Sequence, residues 1–419
     1  MRLLKLLPSR VKTQATAPQP EVELLLCCAR TQLDTGAVQR IKTLVQQPLD
    51  WVRLLQMANQ QGLIPLLYQS LNTHCAALIP SAVLDELSQQ ACTHAAGNML
   101  RARELLRLLS LFVAQDIPAL PFKGPVLAVT AYGSLTLRQF GDLDILIHEQ
   151  DIGRAKNLLI SQGYQMKTAE QEEKHRLEYC DYTFRSQNGI YVELHWRFIP
   201  PSLELIFPFF SALDLEHLWS RLKTTSLEGT TVLTLSPEDQ LLYLCLHGCK
   251  HLLCRLIWLC DIAELIRNSP HLDWGWILEQ ADRQGSRRVL LLSLSLTHDL
   301  LGTTLPLTVV QIIQTDSAAR ALAAQLRKQL LDTAFLYQIK RYQGLMLFPF
   351  YFKMIEQARD RILFLKGMLT FLIIPNKMDR ENLGLPPGLG FLYFMIRPIR
   401  LIINYAPAAW HNLLHKLIN

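Results

Sequence analysis

Two aspartates one residue apart, Asp142 and Asp144, stand at the mouth of the apolar run Phe140-Gly-Asp-Leu-Asp-Ile-Leu-Ile147. On a β-strand successive side chains alternate between faces, so both acids take one side and Leu143, Ile145 and Ile147 the other. Two carboxylates converging on one point bind a hard divalent cation. Mg²⁺ takes oxygen ligands and is commonly held by one or two carboxylates plus substrate phosphates. An isolated Asp-x-Asp is more often a solvated strand end, so the residues around the pair decide between the two.

Further chemistry-bearing residues lie on a hairpin. Tyr179 to Arg185 and Ile190 to Phe198 read as two strands joined through Gln187-Asn-Gly189, Asn-Gly being the strongest short hairpin signal. On the second strand Ile190, Val192, Leu194 and Trp196 form an apolar face. Tyr191, Glu193, His195 and Arg197 form the other, which puts a carboxylate beside an imidazole. Upstream, Ile117-Pro-Ala-Leu-Pro-Phe122 is a short extended segment closed by Lys123-Gly124 and followed by helical Val126 to Tyr132. A glycine at such a junction lets backbone N–H groups approach a phosphate, and the lysine adds a point charge. Past the acidic strand, Asp151 is the expected cap of a helix running to Gly163. The plan is a small mixed sheet carrying three carboxylates.

Lys123-Gly124, Tyr132 with Arg138, Gly141-Asp-Leu-Asp-Ile-Leu-Ile147 and Glu193-Leu-His-Trp196 together resemble the nucleotidyltransferase superfamily that includes DNA polymerase β. More narrowly, the chain resembles the bacterial family labelled uncharacterised nucleotidyltransferase. That likeness extends through the N-terminal helices, the Leu246-His-Gly-Cys-Lys-His251 segment and the late Arg397-Pro-Ile-Arg400. It implies that Asp142, Asp144 and Glu193 hold Mg²⁺ or Mn²⁺, and that a Gly-Ser turn grips the triphosphate of an NTP. A nucleoside monophosphate then passes to an acceptor whose identity the residues do not give. Two segments compete for the phosphate turn. Gly133-Ser134 has the expected residues, but no clear strand precedes it and only seven residues separate Ser134 from Asp142. Lys123-Gly124 has the strand and the helix but lacks the serine. Topology favours Lys123-Gly124, with Arg138 reaching the phosphates from the loop.

The surrounding chain must position these groups. Its 419 residues exceed one small core, half of them are hydrophobic, and 19% are charged with a net charge of +6. That excess favours anionic partners weakly. No basic tail, zinc finger or RNA-recognition signature is present, so no specific nucleic acid is expected. Nine scattered cysteines, two of them adjacent, read as a reducing, cytoplasmic compartment rather than a disulfide framework. No apolar run is long enough for a membrane span. The expected fold is α+β, with a small mixed-sheet nucleotidyltransferase core between mostly helical N- and C-terminal regions. The divisions are a loose tail over 1–20, helices over 21–116, the core over 117–235, a helical domain over 236–330 and an apolar, basic region over 331–419.

Capping residues punctuate the helices. Asp50 precedes Trp51 to Ala58 and Gly62 ends that helix, and the phrase returns ungapped at Leu272-Asp-Trp-Gly-Trp-Ile-Leu-Glu-Gln-Ala-Asp-Arg-Gln-Gly285. Two copies make a recurring capped helix, not a solenoid. Ser236-Pro-Glu-Asp239 opens another helix. If that helix is continuous, His247, Lys250, His251, Cys254, Trp258 and Asp261 form one stripe, with Lys250 and the histidines either at the active-site cleft or on a wet face. Leu242, Leu246, Cys249 and Leu253 form its buried side. Cys245, Cys249, Cys254 and Cys260 lack the paired Cys-x-x-Cys knuckles of a zinc site and read as buried small residues. The apolar segments near Phe348, Ile362 and Phe391, with Arg361, Lys366, Arg397, Arg400 and Lys416 beside them, either complete a helical core or make peripheral contact with a membrane surface.

Two other functions remain open on sequence alone. A metal-holding Asp-x-Asp also occurs in glycosyltransferases, but the Lys-Gly turn and the third acid on a hairpin strand argue against that reading. A catalytically weak nucleotide-binding or scaffold module stays open because the phosphate turn is atypical.

Overall fold

The computed structural model describes residues 19–166, 179–208, 215–331, 348–375, 379, 384–386 and 388–401. The N-terminal tail expected over 1–20 lies outside these except for its last two residues, as do most of residues 331–347 and all of 402–419. The architecture is α+β, as expected: a mixed five-stranded sheet and a two-stranded hairpin set among helices.

Five helices come first: α1 (Pro20–Cys28), α2 (Thr35–Val45), α3 (Trp51–Gln61), α4 (Ile64–Cys75) and α5 (Ser81–Val113). The Asp50 carboxylate accepts from Arg53 N at the head of α3, and Gly62, at φ 76°, ends it in the left-handed region. The sheet follows. β1 (Ala119–Pro121) leads through Lys123 into α6 (Gly124–Tyr132), then come β2 (Asp142–Ile147), α7 (Ile152–Ser161), β3 (Gln165–Met166), β4 (Asp181–Arg185) and β5 (Tyr191–His195). Strand order is β1-β2-β5-β4-β3, with β2 and β5 parallel and the other pairs antiparallel. Gly189 takes a φ of 79° in the turn between β4 and β5, as an Asn-Gly hairpin requires. Asp151 does not cap α7 with its side chain. A short 3₁₀ turn over Glu149–Asp151 precedes that helix, and the Asp151 carboxylate pairs with Arg154 instead.

A hairpin of β6 (Lys223–Leu227) and β7 (Thr230–Thr234) leads to α8 (Pro237–Lys250), α9 (Leu256–Asn268), α10 (Trp274–Arg283), α11 (Arg287–Leu301), α12 (Leu307–Thr315), α13 (Ser317–Leu330), α14 (Phe348–Met354) and α15 (Ala358–Ile373). Ser236 caps α8 through Asp239 N, and Asp273 caps α10 through Trp276 N, repeating the device of Asp50. The stripe expected along one helix from His247 to Asp261 does not exist, because the chain turns between α8 and α9. Leu252 and Leu253 adopt φ values of 56° and 48°, and Leu253 N bonds back to Gly248 O at 2.7 Å. The missing side chain of Gly248 makes room: a Cβ there would lie 2.4 Å from Leu253 Cδ2. Full burial of both leucines holds them in a backbone region that side chains rarely take. Cys245, Cys249 and Cys260 are buried in the same core. Among the described residues, no helix is long and apolar enough to cross a membrane.

Candidate active site

Parallel pairing of β2 with β5 sets Asp144 directly beside Glu193. Both face one side of the sheet, and the next residue on that face of β5 is His195. His195 shares the polar face of β5 with Glu193 as expected for a nucleotide-binding residue, but its side chain is buried. The Phe122 ring meets it edge-on, at 5.3 Å between centroids. His195 Nε2 lies 3.4 Å from both the Asp144 and the Glu193 carboxylates, and neither ring nitrogen makes a hydrogen bond. Leu143, Ile145 and Ile147, on the opposite face of β2, are fully buried and fix its register.

Lys123 reaches the same point from the β1–α6 junction. Its Nζ is 3.2 Å from Asp144 Oδ1 and lies over the rings of Phe122 and Tyr243. Gly124 opens α6 at φ 55°, so close to β2 that a Cβ would lie 3.2 Å from Asp142 O. The N-terminus of α6 is therefore beside the acids. Gly133-Ser134 occupies the other end of this nine-residue helix, about 13 Å away along its axis. There Ser134 Oγ pairs with Thr136 and lines a separate cavity of about 410 Å³ against Tyr68, Gln69 and Asn72.

Arg138 is buried, and its Nε and Nη2 grip Asp261 of α9 at 2.7 and 2.9 Å. Tyr132 donates to the same Asp261 carboxylate at 2.7 Å. Asn98 of α5 holds the loop from below, donating to the carbonyls of Leu135 and Arg138 at 2.8 Å. No motif marks Asn98, although a lone polar residue on the inner face of a long helix is a signal of such a role.

The electrostatics follow from crowding. Burial, then Asp144 and Glu193, push Asp142 up to about 6. Burial would also raise Asp144, but Lys123 and then His195 hold it well below the usual carboxylate range. Burial opposes charge on His195 and Lys123, yet the neighbouring acids, Asp144 foremost, keep both above their ordinary values. Carboxylate oxygens of Asp144 and Glu193 and a nitrogen of His195 lie within 4.8 Å of one another, as do the donor atoms of Cys180, Asp181 and His195. Asp142 stands one pleat away.

Beside the acids opens a cavity of about 210 Å³, lined among others by Lys123, Glu193, His195, Tyr243, His247 and Lys250. Lys250, at the end of α8, thus reaches the site although α8 and α9 are separate helices. Burial, then Lys123, hold His247 neutral, well below the ordinary imidazole value.

A family model described as uncharacterised nucleotidyltransferase matches residues 47–302, which includes α3 to α11 and every residue just described. The chain belongs to the uncharacterised nucleotidyltransferase family. A solved structure similar to this chain is an antigenic nucleotidyltransferase-like protein from Paracoccidioides brasiliensis, at 17% identity and a TM-score of 0.32, covering 51% of this chain and 93% of that one. No curated protein matches.

Proposed function

We propose that this nucleotidyltransferase uses a divalent cation to move a nucleoside monophosphate from an NTP to a hydroxyl-bearing acceptor. The observation that carries the reading is the convergence of Asp144, Glu193 and His195, with Asp142 alongside and its carboxyl pushed up to about 6. Acids this close repel unless a cation neutralises them. The residues fit one: carboxylates suit Mg²⁺ and Mn²⁺, and the imidazole tips the set toward the transition ion. Asp142, Asp144 and Glu193 would hold it, and His195, which the acids keep protonated, would join them only by giving up its proton. When bound, the cation supplies charge neutralisation at the reacting phosphate and lowers the pKa of a coordinated hydroxyl.

The other groups bind and orient. Backbone N–H groups at the head of α6 and the Lys123 ammonium take the triphosphate, whose negative charge a helix N-terminus favours. Lys250 and the aromatic wall of the 210 Å³ cavity receive the acceptor or base. Arg138 positions rather than grips, because its guanidinium is committed to Asp261 and fixes the loop that delivers Asp142. Ser134 belongs to that loop's far end. A catalytically weak nucleotide-binding module is the second reading, favoured by the Lys123–Asp144 ion pair: the ammonium already neutralises part of the charge a cation would meet.

Incubating the protein with each α-labelled NTP, Mg²⁺ or Mn²⁺ and a lysate of its host separates the two. Transfer predicts label in a protein, peptide or small-molecule fraction, lost with Asp142→Ala. Binding of nucleotides with no label moved under either metal leaves the binding module.

A further inference from the structure

We infer that α15 docks this protein on an anionic membrane surface. Along α15, Ile362, Leu365, Leu369 and Ile373 fall within one narrow arc opposite the buried Phe364 and Gly367. Two of them, Ile362 and Leu369, are 67% and 57% exposed. The stretch over 392–401 meets this helix on its other side, where Arg397 Nε donates to Phe371 O at 2.7 Å, and leaves the row uncovered. An apolar row of this length exceeds the scattered exposure of an ordinary surface.

Charge selects the occupant. Residues 348–401 hold eight Lys and Arg against four Asp and Glu, with Arg400 and the buried Arg397 paired to Asp379. On α15 the exposed Arg359 and Lys366 border one edge of the apolar stripe. A second copy of this chain would bring those like charges together and desolvate them. At a bilayer the same lysine and arginine lie among anionic head groups while their aliphatic stems follow the apolar face down. No described helix is long enough to cross, so the contact is interfacial.

Flotation of the full chain with phosphatidylcholine vesicles, with and without phosphatidylglycerol, tests this. About tenfold more protein should float with the anionic vesicles, and the excess should fall at high salt. The double variants Ile362→Asp with Leu369→Asp, and Arg359→Glu with Lys366→Glu, should stay at the bottom while keeping native circular dichroism and melting temperature, since all four positions are exposed. Flotation by either variant as strong as the native chain's overturns the inference. So does equal recovery on neutral vesicles, no recovery on either kind, or a concentration-dependent dimer in sedimentation that the apolar variant abolishes.

Discussion

At Gly124 the backbone must do two things at once: turn at φ 55° into α6, and pass close enough to β2 that Asp142 O would crowd any Cβ. A left-handed residue with a side chain costs about 1–3 kcal/mol, and here the obstacle is backbone that cannot swing aside. Gly124→Ala should therefore lower unfolding free energy by about that amount in urea titration. It should also weaken nucleotide binding, since the same N–H groups are assigned to the phosphates. An alanine variant as stable as the native chain would mean that the turn relaxes freely. Residues of this kind were legible in the sequence because strand alternation and a strand–Gly–helix junction are local. Asp142, Asp144 and Glu193 fall on one face by the same logic. The burial of His195 was not legible, since its covering rings come from Phe122 and, through Lys123 and Phe122, from Tyr243 on a helix far along the chain.

At the scale of elements, one buried ion pair ties α9 to the loop that follows α6. Asp261 receives two bonds from Arg138 and one from Tyr132, and both members of the pair are almost wholly enclosed. Removing one partner strands a buried charge at a cost of about 3–5 kcal/mol, whereas replacing both by apolar groups can be neutral. Asp261→Ala should thus be strongly destabilising in urea titration, and Arg138→Met with Asp261→Leu should regain most of the loss. A single variant within about 1 kcal/mol of the native chain would show that the pair does not hold α6 and α9 together. No local pattern announces a partner 123 residues away. The same limit explains the continuous helix expected through His251. Helical spacing runs unbroken across Gly248 to Asp261, and only the tertiary burial of Leu252 and Leu253 reveals the turn. Caps were legible because Asp50, Ser236 and Asp273 each bond within three residues; Asp151 fails as a cap because Arg154 outcompetes the backbone for its carboxylate.

Across the whole molecule, helices on both sides of the sheet in sequence converge on the same acids. A single hydrophobic cluster runs from Val22 in α1 to Phe364 in α15. Gln61 of α3 accepts from Leu256 N at 2.7 Å, and Tyr351 of α14 donates to Lys250 O at 2.9 Å, so distant elements brace both ends of the α8–α9 turn. The central claim is that this scaffold makes cation and nucleotide bind together at Asp144 and Glu193. Calorimetric titration of NTP into the native chain and into Asp144→Asn, each with and without Mn²⁺, tests it most directly. The account predicts that Mn²⁺ tightens NTP binding to the native chain by about tenfold or more and leaves Asp144→Asn unchanged. An equal tightening in Asp144→Asn would contradict it and move the cation elsewhere in the molecule.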